Sequence, residues 1–150
     1  MHFVNLIKLH TNLQFRFLMD LFGIDYWSKS SRFHLLYCFL STFLNARLYL
    51  YVHLSKDNII PSVSNIFASA DWLEREVWDM YGIFFENHLD LRRIITDYGF
   101  EGFPLRKDFP LTGYNELRFS AEMSTIVYER LVIAQEFRYF DFLNPWDFRL

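Results

Sequence analysis

Hydrophobic and polar positions change period several times along the chain. From His2 to His10 the spacing is helical, with Phe3, Leu6, Ile7 and His10 on one side. A helix this short is marginal alone, so it needs a sheet to pack on. From Phe15 to Asp25 the pattern alternates: Phe15, Phe17, Met19 and Leu21 share one face, with Arg16 and Asp20 on the other. A polar turn follows, from Asp25 to Ser31. Arg32 to Leu40 predicts a second strand. Phe33, Leu35, Tyr37 and Phe39 line one face and Leu36 and Cys38 the other, so both faces are expected to be covered. Ser41 to Asn45 has hairpin length. In Ala46 to Leu54, Leu48, Leu50, Val52 and Leu54 alternate with Arg47, Tyr49, Tyr51 and His53, which predicts a third strand.

Ser55 to Pro61 reads as a loop, and a long helix follows from about Val63 to Tyr81. Ile66, Ala70, Leu73, Val77 and Met80 form its apolar stripe, and Asp71, Arg75 and Asp79 a ladder of alternating sign on the opposite side. Ser62 or Ser64 is placed to cap its start, and Gly82 to close its end in the left-handed conformation. Helix, three strands and helix predict an α+β two-layer sandwich: a three- or four-stranded sheet with helices on one face.

After Ile95 the period weakens, while Gly and Pro become frequent. Residues 96–150 are too aromatic for a disordered tail. They read as an extended, irregular C-terminal arm on a core domain of residues 1–95, an arm that folds against another protein. Residues 126–140 fit strand or helix, with an extended form favoured.

Composition sharpens this picture. The 150 residues include 18 Phe, 9 Tyr and 4 Trp, more rings than one small domain readily hides. A partner-facing surface explains the surplus, and so does an AT-rich genome; the two are compatible. A net charge of −3 argues against a nucleic-acid partner. The single cysteine, Cys38, excludes a disulfide framework and any iron–sulfur or zinc site built from this chain's thiolates alone. No glycine-rich phosphate loop indicates a flavin or nicotinamide site. Phe33 to Leu54 is mostly apolar, but His34, Asn45 and Arg47 interrupt it, so two strands are expected rather than a membrane span. No Arg-rich, acid-poor leader precedes the first helix.

Glu74, Glu76 and Asp79 with His88 admit three readings: a metal or acid–base centre of a small metal-dependent hydrolase, a solvated or partner-paired helix face, or a buried ion-pair network with Arg92 and Arg93. Glu74 and Glu76 are two apart on a helix and face different ways, against the first. Trp72 and Trp78 do not share the core stripe. They either complete the packing around the helix or meet a partner, as Trp often does at interfaces. Arg106-Lys107-Asp108, set between Pro104 and Pro110 with Phe103 and Phe109 as anchors, is either a solvated loop or a docking segment. His34 and His53 read as strand residues with local hydrogen-bond partners.

The run Glu74-Arg75-Glu76, Asp79-Met80-Tyr81, His88 and Arg92-Arg93-Ile94-Ile95, with no insertion, resembles the subunit 9 (30 kDa) family of respiratory complex I, the proton-pumping NADH:ubiquinone oxidoreductase. The stretches Gly23-Ile24-Asp25-Tyr26, Asp97 to Gly102, Leu105 to Leu111, and Gln135 to Asp141 with Pro145-Trp146 look like further blocks of it. Leu89, Phe103 and Arg130 stand where that family usually has Pro, His and Pro. The resemblance implies a non-catalytic structural and assembly subunit in the hydrophilic arm, within a hetero-oligomer. Its neighbours would be the large quinone-site (49 kDa-type) subunit and iron–sulfur subunits. FMN, iron–sulfur clusters and ubiquinone would be held by other chains, and no cofactor by this one. The expected partner-binding residues are Trp72, Trp78, Arg92, Arg93, Phe103, Arg106, Lys107, Asp108, Phe109 and Trp146. The expected location is the matrix side of the mitochondrial inner membrane, or the cytoplasmic face in a bacterium.

Overall fold

The computed structural model describes residues 2–28, 31–54, 58–142 and 146. It divides into two compact units, Met1–Leu111 and Thr112–Leu150. The division falls after Leu111, not after Ile95, because residues 94–106 are hydrogen-bonded to the second helix of the first unit.

The first unit is mixed α+β. Helix α1 spans His2–Leu9 and buries Val4 and Ile7. Strands β1 (Phe17–Asp25), β2 (Phe33–Ser41) and β3 (Ala46–His53) form an antiparallel meander. Register runs from Asp25↔Phe33 to Phe17↔Leu40, with a shift between Leu18 and Asp20, and from His34↔His53 to Ser41↔Ala46. Strand β2 lies in the middle and is buried on both faces, as its unbroken apolar run requires. On β3, Leu48, Leu50 and Val52 are half-buried, while Arg47, Tyr49, Tyr51 and His53 are exposed. The β2–β3 turn holds Asn45 at φ 48°, which Asn tolerates better than most residues.

Two short strands were not visible in the pattern. β4 (Ile59–Pro61) and β5 (Phe84–Glu86) pair in parallel, Ile59↔Phe84 to Pro61↔Glu86. The expected loop therefore ends in a strand; residues 55–57 lie outside the described residues. Helix α2 occupies Ala70–Tyr81, shorter than the spacing predicts. Residues 63–69 form turns that keep Val63 and Phe67 facing the core, which imitates a helical stripe. The helix begins after Ser69, whose hydroxyl donates to the Leu18 carbonyl (3.0 Å) and ties the helix start to β1. The expected caps do other work: Ser62 bonds Glu74, and Ser64 bonds Ser62.

Val4 and Ile7 of α1, Ala70 and Val77 of α2, and the inner face of the meander share one hydrophobic core, joined by Ile83 and Phe85. Gly23 of β1 sits under the Tyr81 ring, 2.5 Å from where a Cβ would stand. Gly82 ends α2 at φ 71°, as its position predicts, and its N–H bonds the Trp78 carbonyl.

The second unit is a hairpin, β6 (Asn115–Ser120) with β7 (Thr125–Arg130), register Asn115↔Arg130 to Ser120↔Thr125. Among the described residues of the expected irregular arm, regular structure is thus confined to this hairpin. The extended reading of residues 126–140 holds as a strand only to Arg130. The side chains of Arg118 and Glu129 pair across it. Residues 131–142 carry neither helix nor strand.

Candidate functional site

The charged residues of α2 decide what this chain can do. Glu74 and Asp79 are fully buried, and Arg75 is nearly so. The solvated-face reading is therefore overturned for Glu74 and Asp79, while Glu76 is exposed. The segment after β5 returns to α2, where Asp79 and Arg93 fasten it, while Glu74 holds the end of β4.

Asp79 collects five donors. Its Oδ2 accepts the backbone N–H of Ile94 (3.2 Å), Ile95 (2.7 Å) and Thr96 (2.9 Å). Its Oδ1 accepts the Thr96 hydroxyl and the Arg93 guanidinium (3.1 Å). Burial raises the Asp79 carboxyl pKa, the Thr96 hydroxyl and the backbone N–H groups lower it by more, and it ends below its ordinary value. Arg93 also donates to the Gly102 carbonyl (2.8 Å) and lies 4.9 Å from the centre of the Phe103 ring.

Glu74 ties α2 to the end of β4. Its carboxylate accepts from the Val63 N–H (2.7 Å) and the Ser62 hydroxyl (2.6 Å). Burial pushes its pKa up, against those two bonds. His88 approaches from the turn after β5. Its Nδ1 accepts the Asp90 N–H (3.1 Å), so Nε2 carries the hydrogen. That nitrogen lies 3.3 Å from the Asp71 carbonyl, 3.5 Å from the Asp71 carboxylate and 3.8 Å from Glu74.

A third knot sits at the β1–β2 end of the meander. Asp25, buried, is gripped by two Arg32 nitrogens at 2.7 Å and by the Lys107 N–H at 2.8 Å. The Arg32 guanidinium holds its carboxyl below the ordinary range. Arg32 also pairs with Asp108 (2.9 Å). Arg106 donates to the Tyr81 carbonyl (2.6 Å) and stacks on Phe103 and Phe33.

The expected site residues thus separate. Arg93, Phe103 and Arg106 are half-buried and pack on α2 or β2. Phe109 is half-buried against Phe100. Asp108 is held by Arg32, and Lys107 through its backbone by Asp25. Trp78 meets Phe84 and Phe103 edge-on. Trp72 is 62% exposed with Arg75 stacked on it. Arg92 is exposed and pairs with Asp90, outside the network it was grouped with. Trp146 is exposed, and Pro145 lies outside the described residues. His34 and His53 bond each other (3.2 Å), and His34 also Tyr51.

Sequence reasoning missed Ser62, Asp25 and Arg32. The only signal for Asp25 was its place in a block resembling the family. Ser62 and Arg32 find partners across turns that no periodicity reports.

These carboxylates do not converge. Glu76 is exposed, and Glu74 and Asp79 are each filled by their own donors. Among the described residues no group of three His, Cys, Asp or Glu is arranged to hold a metal ion. The metal-dependent hydrolase reading has no constellation to stand on. What the fold and its buried charges define is a mixed α+β unit whose ionic groups fasten loops to a helix.

Residues 1–115 match the family described as respiratory-chain NADH dehydrogenase, 30 Kd subunit. The chain is 52% identical over 143 residues to NADH dehydrogenase [ubiquinone] iron-sulfur protein 3 of Beta trigyna, covering 95% of this chain and 74% of that one. It is 49% identical over 144 residues to NADH-ubiquinone oxidoreductase subunit 9 of Reclinomonas americana, covering 96% and 71%. It is 52% identical over 134 residues to an NADH-quinone oxidoreductase subunit of Rhodospirillum rubrum, covering 89% and 63%. Among solved structures it resembles Nqo5 as a trypsin-resistant fragment (1-134), at TM-score 0.51 and 31% identity, over 60% of this chain and 76% of that one. The chain belongs to the 30 kDa subunit family of respiratory-chain NADH dehydrogenase, and so is a subunit of the peripheral part of a hetero-oligomeric NADH:quinone oxidoreductase. Among the described residues no helix is long and apolar enough to cross a membrane. The plant relative's name speaks of iron and sulfur. Here the one thiol, Cys38, is buried in β2, and a single thiolate does not fit the ligand set of a cluster.

Proposed function

We propose that this chain is a non-catalytic structural and assembly subunit. It holds the large quinone-site (49 kDa-type) subunit and neighbouring iron–sulfur subunits in fixed geometry, while FMN, clusters and ubiquinone are bound by other chains. The layered reading of the first unit goes with this role: one sheet carrying both helices on a single face makes a rigid platform, supported by their shared core. One docking surface is assigned to the second unit, and on the first unit the exposed Trp72, Arg92 and Lys107 are assigned to partner contact in their own right. A place on the matrix side of the mitochondrial inner membrane, or the cytoplasmic face of a bacterial one, accords with the relatives named above.

The observation that carries the proposal is the second unit. A two-stranded hairpin is at best marginally stable in water. This one leaves Phe119, Ile126 and Tyr128 exposed, and beyond it Phe137, Tyr139 (84%) and Phe142 (93%) are exposed as well. Apolar surface of this extent marks an interaction site. An obligate interface of about 2,000 Å² or more is the class it fits.

Limited trypsin digestion tests this. In the free chain, cleavage is expected first after Arg130 and Arg138, leaving residues 1–111 intact for longer. In the assembled complex those two bonds should be protected. A free chain whose tail resists trypsin as well as its core does, or an assembled one still cut at both arginines, removes the basis for the proposal.

A further inference from the structure

Helix α1, the start of β1 and the turn before α2 enclose two adjoining clefts of about 380 and 430 Å³. Lys8 and Arg16 line both. Leu9, Thr11 and Gln14 complete the first, and Phe17, Met19 and Ile66 are among the walls of the second. No carboxylate lines either cleft. Lys8 is fixed in place: its ammonium donates to the Ile66 carbonyl and lies 4.7 Å from the centre of the Phe67 ring. The Arg16 side chain is exposed. Among the described residues neither cation enters an ion pair within the chain.

Apart from Thr11, Gln14 and Ser69, the surroundings are apolar. Phe17 and Met19 are half exposed and Leu9 is 75% exposed, while Phe3 and Leu6 of the same helix are also uncovered. Helix α1 therefore buries one apolar side, Val4 and Ile7, in its own core and leaves a second one bare. Two cations without counter-charges in an apolar setting, on a chain of net charge −3, reverse the local sign. Covering that apolar surface without a counter-charge would desolvate them at a penalty, whereas a carboxylate arriving with its own apolar flank satisfies both needs.

We infer that this surface is a second interface, which receives the carboxylate of an Asp or Glu borne on an apolar segment of another subunit of the complex. The occupant is a protein side chain and not a free anion. The clefts set side-chain cations beside exposed apolar side chains, which a free anion would leave uncovered. The inference rests on membership of the complex and not on the role given to residues 112–142, so either can fail alone.

The experiment is zero-length carbodiimide coupling on the intact purified complex, read by mass spectrometry. The reagent joins an ammonium to a carboxyl in direct contact, with loss of water to the carbodiimide. The expected product is Lys8 linked through an amide to an Asp or Glu of a different subunit. In a complex carrying Arg16→Gln, the yield of that product should fall several-fold and this subunit should be released at lower salt, with turnover per assembled complex unchanged. Arg16 makes no side-chain hydrogen bond or ion pair within the described chain, so the variant should fold normally. The inference is overturned by any of four results: no Lys8 product while other lysines of the complex couple, a Lys8 product only with this chain's own carboxylates, a yield indifferent to Arg16→Gln, or protection of Lys8 by inorganic phosphate or anionic lipid vesicles alone.

Discussion

Replacing Asp79 with alanine is expected to destabilise the first unit by about 3–5 kcal/mol, the range for removing one partner from a buried ionic network. The substitution would strand three consecutive backbone N–H groups, the Thr96 hydroxyl and one face of Arg93 at once. Against the roughly 5–15 kcal/mol by which domains are usually stable, that is a large share. Urea unfolding of the full chain, followed by tryptophan fluorescence, measures it. Asp79→Asn should fall between, since it keeps the shape but offers N–H groups where donors already point. The carboxyl sits below its ordinary value in the fold, so its contribution is present above the unfolded carboxylate range and fades as pH drops through the folded value. An alanine variant with an unchanged urea midpoint would mean that the loop after β5 is held by something other than Asp79.

The second large effect is expected at Glu74, and its pH dependence has the opposite sign. Glu74→Ala should remove about 2–4 kcal/mol, since it leaves the Val63 N–H and the Ser62 hydroxyl buried without an acceptor and opens a void beside α2. Burial raises the Glu74 pKa in the fold. Between the unfolded value and that raised one, the folded state binds the extra proton, so stability contributed here grows as pH falls and is lost as pH rises. Glu74→Gln removes the titration. The difference in unfolding free energy between parent and Gln variant should therefore move in the parent's favour on acidification from neutral pH, by at most about 1.4 kcal/mol per pH unit. Parallel pH profiles for the two proteins would show that Glu74 does not titrate differently in the fold.

Much of the first unit was legible because its strands are long enough to alternate. Phe33 to Phe39 and Leu48 to Val52 leave little choice of face, and register follows from the short turn at Asn45. Strands β4 and β5 were not legible: three residues carry no period, and their pairing joins segments on either side of α2. The start of α2 was misplaced because Ile66 and Phe67 face the core from turns at helix-like spacing. The solvated alternative for Glu74 and Asp79 was the larger trap. Alternating charge along a helix predicts a solvent face only when nothing wraps it. Whether a later loop supplies donors to Asp79 is a matter of where residues 94–96 return in space, which the residues of α2 do not encode. Glu74, Asp79 and Arg93 lie in the run that carries the family resemblance, and each makes hydrogen bonds within its own unit. Arg106 belongs with them: the segment expected to reach outward stacks on Phe33 and Phe103 of its own unit.

The parallel pairing of β4 with β5 also sets an order of events during folding. The meander needs only tight reversals between sequence neighbours, whereas β4 and β5 cannot meet until the whole of α2 has crossed between them. The closure that Asp79 makes on residues 94–96 must wait until the chain beyond β5 has returned. Pulse-labelled hydrogen exchange during refolding should therefore find amides of β2 protected before those of Ile95 and Thr96. A nascent chain halted before α2 emerges would carry a paired sheet whose inner face has only α1 for cover, and that interval is when it is most open to sticking to its neighbours.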